Sequence, residues 1–127
     1  MLYERTARGT VGEVVTRVEA ATRDHKFGVL GTIDLKSKLA EKGVDLAPGC
    51  TVVEVCNPVQ AQRVLEEEIV LATMLPCRIA VYEKGGTVCV GTLRPTGLVQ
   101  LFNNPALRPV AEEVEQVLLR IIDAACA

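Results

Sequence analysis

A chain of 127 residues can bury roughly two-thirds of its unfolded surface around one core, so a single domain over residues 1–127 is expected. Apolar residues at 49% and charged residues at 24% exclude a disordered or low-complexity chain, and 14 basic against 16 acidic side chains, net −2, leave no bulk field to draw nucleic acid or membrane lipid. No apolar run nears the roughly 20 residues of a membrane span, Met1 to Arg8 lacks the apolar stretch of a signal peptide, and five cysteines with no CxxC spacing suit reduced thiols in the cytoplasm.

The first strand is Leu2 to Thr6, stopped by Arg8-Gly9. Thr10-Val11-Gly12-Glu13 fits a capping box, in which the threonine hydroxyl and the glutamate carboxylate satisfy each other's backbone amides. A helix therefore starts at Val11, with Val11, Val14, Val15, Val18 and Ala21 as its apolar stripe and His25 and Lys26 suited to its C-terminal end. Phe27, Val29, Gly31, Ile33 and Leu35 alternate with Gly28, Leu30, Thr32 and Asp34 and predict a second strand with one apolar face. Asp34 caps a short helix from Leu35 to Lys42, closed by Gly43. Thr51 to Cys56 is the third strand, and Asn57-Pro58 opens a helix running to about Glu67.

Ile79, Val81 and Tyr82 belong to a fourth strand and Val88 and Val90 to a fifth, joined by the two-residue turn Gly85-Gly86. That turn sets Val81 opposite Val90, Tyr82 opposite Cys89 and Cys77 opposite Arg94. Arg94 to Arg108 is irregular, with room for another short strand. A last helix begins at Pro109, places Glu112 and Glu113 in its first turn and buries Val114, Val117, Leu118, Ile121 and Ile122. The fold class is α+β: a mainly antiparallel sheet with two long helices packed on one face. Its expected core joins Val14, Val18, Ile33, Ile79, Val81, Val117 and Ile121. The reverse face carries Leu30, Thr32, Arg78, Ala80 and Tyr82. Such a half-apolar face suits a subunit interface, and Leu30, Ala80 and Tyr82 are the expected contacts of a homodimer.

Phe27 to Leu35, Val55-Cys56-Asn57-Pro58, Leu75-Pro76-Cys77-Arg78-Ile79 and Val81-Tyr82-Glu83 resemble segments of the family called domain of unknown function 302. The resemblance covers most of the chain. It implies a fold similar to the TATA-binding-protein class, β-α-β(4)-α with short helical insertions and a curved antiparallel sheet, together with a tendency to dimerise. It implies no known reaction, and likeness to a DNA-binding class carries no function to a sheet without a basic, aromatic-wedged face.

If strands two to five neighbour one another in order, one end of the sheet collects His25, Lys26, Cys56, Asn57, Cys77, Arg78 and Arg94. A guanidinium across from Cys77 favours its thiolate, with Cys56 as a resolving thiol or a metal co-ligand. Against this stands the habit of strand cysteines to fill core space. His25 is the only histidine, no metal-ligand spacing is present, and no cofactor is expected. Two function classes follow. One is a non-catalytic homodimer that binds a small ligand or a partner protein at His25, Cys56, Asn57, Cys77, Arg78 and Arg94. The other is a thiol-dependent enzyme or redox carrier using Cys77.

Overall fold

The computed structural model describes all 127 residues. Five strands, β1 (Leu2–Ala7), β2 (Gly28–Asp34), β3 (Cys50–Cys56), β4 (Cys77–Lys84) and β5 (Thr87–Leu93), form one curved antiparallel sheet in the order β1-β5-β4-β3-β2. The helices are α1 (Val11–Asp24), α2 (Leu35–Glu41), α3 (Pro58–Glu67), α4 (Pro95–Val99) and α5 (Leu107–Cys126), with a 3-10 turn at Ile69–Thr73. No helix is long and apolar enough to cross a membrane.

Local chemistry fixes the helix starts. The Glu13 amide donates to Thr10 Oγ1 at 3.2 Å and the Thr10 amide to Glu13 Oε1 at 3.0 Å, the two halves of a capping box. Asp34 caps α2 through the Ser37 amide at 3.0 Å, and Asn57 caps α3 through the Gln60 amide at 3.1 Å. Gly85 and Gly86 both have positive φ, which lets a two-residue turn follow the twist of the β4-β5 hairpin. Val81 then pairs with Val90 and Tyr82 with Cys89, as the turn length predicts.

The long helices α1 and α5 lie side by side on one face. Val14 and Val18 of α1 meet Leu118, Ile121 and Ile122 of α5 over Val53, Val55, Ile79, Val81 and Val90 of the sheet, all fully buried. Val117 is half-buried at the margin of this cluster.

Ile33 is not in the core. Val29 pairs with Val55 but Gly31 pairs with Glu54, so Leu30 is a bulged residue without a partner in β3. One extra residue turns everything after it to the opposite face. Thr32 therefore points toward the helices, where its hydroxyl donates to Glu19 Oε2 at 2.7 Å. Ile33 joins the reverse face, 36% exposed and paired with Val52.

Two further expectations are corrected at the C-terminal end. Arg94 to Arg108 holds no strand; its first part is α4, packed on α5. The last helix starts two residues before Pro109, because the first-turn amides lack intrahelical acceptors and a proline there loses nothing. Glu112 and Glu113 consequently lie beyond the first turn.

Candidate functional site

Antiparallel order brings the end of β3, the start of β4 and the end of β5 to one end of the sheet. The chain leaves β3 into α3, turns through Ile69–Thr73 and re-enters at β4 through a cis Leu75-Pro76 bond. After β5, Pro95 starts α4. A cavity of about 170 Å³ lies among these segments. Val55, Cys77 and Thr92 line it from the sheet, Ala61 and Val64 from α3, Leu71 and Met74 from the turn, Leu98 and Val99 from α4, and Ala111 and Val114 from α5.

Its lining is mostly apolar, and its polar groups are accounted for with one exception. Thr92 Oγ1 donates to the Arg78 carbonyl at 2.7 Å, and Asn57 Oδ1 is spent on the cap of α3. Arg78 is the only lining residue that carries a formal charge at neutral pH; its side chain is 66% exposed and its Nε lies 4.0 Å from Glu54 Oε2. Gln60 Oε1 is buried and has no hydrogen-bond partner.

The cavity brings together Cys56, Asn57, Cys77 and Arg78 of the residues singled out from the sequence. It excludes His25 and Arg94. His25 ends α1, its backbone amide and Nδ1 both within hydrogen-bonding distance of the Ala21 carbonyl, at 3.0 and 2.7 Å. Lys26 follows with φ 65°, turning the chain toward β2. Arg94 is drawn away by α4 and β1. Its amide donates to the Met1 carbonyl at 2.7 Å, its guanidinium sits 5.2 Å above the Tyr3 ring, and Nη1 lies 3.6 Å from Glu115 Oε2.

Cys77 therefore has no cation across from it. It pairs with Val55 on β3 and faces the helices, and burial, reinforced by the neighbouring Cys56, pushes its thiol up to about 11. Burial raises Cys56 as well. The expected thiolate is replaced by a neutral thiol in an apolar wall. Sequence reasoning missed Gln60, Leu71, Met74 and the α4 pair Leu98 and Val99. The apolar stretches Ile69 to Leu71 and Leu98-Val99 were the available signal.

The opposite sheet face has its own polar cluster. The Tyr82 hydroxyl donates to Glu4, and Lys84 Nζ lies 2.7 Å from Glu4 Oε1. The bond to Lys84, and then that to Tyr82, holds the Glu4 carboxyl below its usual range. Burial, followed by that same bond to Glu4, pushes the Tyr82 hydroxyl upward. Beside this cluster Leu2 and Leu93 are 55% and 50% exposed, and Leu30 on the far edge strand is 64% exposed. Ala80 stands in a row with Glu4, Gly91, Val52 and Ile33. The segment after β5 packs on α5, on the helix side of the sheet, and not over this face.

The fold and sequence both have relatives. A crystal structure described as an uncharacterized conserved protein DUF302 from Bacillus stearothermophilus superposes with a TM-score of 0.92 at 36% identity, over 99% of this chain and 98% of that one. No curated protein matches. The family model for the domain of unknown function DUF302 matches residues 3–125, and the chain belongs to that family.

Proposed function

We propose that the protein is a non-catalytic binding module whose cavity beneath α3 and α4 takes up a small apolar molecule. The cavity itself carries this reading. At about 170 Å³ it has room for a ring-sized molecule, since a cavity of roughly 150 Å³ admits benzene. Its apolar walls offer a ligand dispersion contacts that the empty protein lacks. The thiol-dependent alternative needs a thiolate at neutral pH, and Cys77 has burial against it and no cation for it. Titration of the isotope-labelled protein with toluene should shift resonances of Val55, Leu71, Leu98 and Val114 and leave those of α2 unmoved. Absence of any shift at saturating toluene would refute the reading.

The same proposal makes the protein a cytoplasmic homodimer. Five free cysteines suit a reducing compartment. Leu30, Ile33 and Leu93 lie exposed on the sheet face of Ala80 and Tyr82, opposite the face on which the long helices pack. Sedimentation should give twice the chain mass, with Tyr82→Asp dissociating the pair. A monomeric parent at micromolar concentration would remove the dimer and leave the cavity reading intact.

A further inference from the structure

We infer that the cavity selects an uncharged, ring-sized molecule bearing one hydrogen-bond donor, and that Gln60 is the residue that reads this donor. The inference rests on the binding reading above and narrows it to a chemical class. Gln60 projects from the first turn of α3, where its own amide is fixed by Asn57. Its side chain lines the cavity, yet its carbonyl oxygen is sealed from solvent and has no donor. A buried acceptor without a partner is rare in folded proteins and is costly to keep. No neighbouring side chain satisfies it, which leaves the acceptor free for a donor from outside the chain. The terminal torsion of a glutamine is broad, so the amide can turn toward the lumen without leaving a favoured rotamer.

Charge is excluded from both sides. Arg78, the one charged lining group, is largely in water and already near Glu54. The two lining thiols are held in their neutral form. No carboxylate lines the cavity to receive a cation. A cation entering this space would give up its hydration for nothing of opposite sign, and an anion would find only Arg78, whose charge lies largely in water beside Glu54. A hydroxyl or ring N–H on an apolar body meets both conditions: the body fills the walls, and the donor reaches Gln60.

Toluene, phenol and benzoate share a ring and differ in the one relevant group. Their dissociation constants can be measured by resonance shifts on the parent protein and on Gln60→Met, which keeps an unbranched side chain and removes the acceptor. Gln60→Leu serves if the first variant fails to fold. The variant should weaken phenol about three- to tenfold, the share of one neutral hydrogen bond, while toluene binds equally or more tightly and benzoate does not bind to either protein. The comparison of two ligands on two proteins isolates that bond from the difference in ring hydration. If phenol and toluene respond alike to the substitution, or benzoate binds as tightly as phenol, the donor inference fails and the apolar cavity stands. If none of the three shifts the parent's resonances, the binding reading fails with it.

Discussion

Cys77 should be a slow thiol in the folded protein, and its burial should make stability fall at alkaline pH. Its thiol is raised from 9.0 to about 11, by burial first and by Cys56 second. Two units remove about a hundredfold of the thiolate at neutral pH, and alkylation proceeds through the thiolate. The more basic thiolate is also the better nucleophile, so iodoacetamide should label Cys77 at least about tenfold more slowly in the native protein than in urea. The linkage has a definite sign. Below pH 9 both folded and unfolded chains hold the proton, and the thiol adds no pH dependence. Between 9 and 11 the unfolded chain releases it first, so unfolding is favoured progressively as pH rises through that window. The total is roughly 3 kcal/mol from this one group. Urea unfolding of the parent and of Cys77→Val, followed from pH 8 to 10.5, should show the parent losing stability faster. Parallel curves, or native labelling as fast as unfolded labelling, would refute both the burial and the neutral-wall description of the cavity.

Other substitutions test the sheet. Ile79→Ala, at a fully buried position, should cost about 2 to 5 kcal/mol in urea unfolding, whereas Ile33→Ala beyond the bulge should cost less than about 1 kcal/mol in the monomer. Gly91→Ala places a Cβ 2.9 Å from Tyr82 Oη and 3.4 Å from the Tyr3 carbonyl. It should destabilise by about 1 to 3 kcal/mol, with much of that loss relieved by Tyr82→Phe, a non-additivity read from a double-mutant cycle. Thr10→Ala removes one half of the capping box and should lower stability by about 1 kcal/mol, seen as faster hydrogen exchange in the first turn of α1.

The hairpin register and two helix starts were legible because local rules determined them, whereas the place of β1 beside β5 is set by long-range pairing. A two-residue glycine turn leaves one register, and Asn57-Pro58 and the Thr10 box each satisfy backbone groups within three residues of themselves. Beyond such local closure the sequence is silent. Phe27, Val29, Gly31 and Ile33 keep their alternation on paper whether or not Leu30 bulges. What decides it lies elsewhere in the chain, on α1 and on the partner strand, since Thr32 gains Glu19 and Thr51 lies opposite Asp34 only in the bulged register. The same holds for Arg94. Turn counting places it across from Cys77, but β5 ends at Leu93 and Pro95 begins a helix, so the guanidinium goes to Tyr3 and Glu115.

This difference reshapes the site as well as the register. With Arg94 beside Cys77, the sheet end would have been an electropositive pocket with an activated sulfur. With Arg94 turned away, the same sulfur becomes wall, and α4 swings Leu98 and Val99 over the opening. The chemistry left inside is a single carbonyl on Gln60, a residue whose type in a polar-looking helix start gave no reason to notice it. Recognition here depends on what the walls cannot do. They offer a cation no compensating charge and an anion only the solvated Arg78, and they leave one acceptor that a donor-bearing neutral molecule can satisfy.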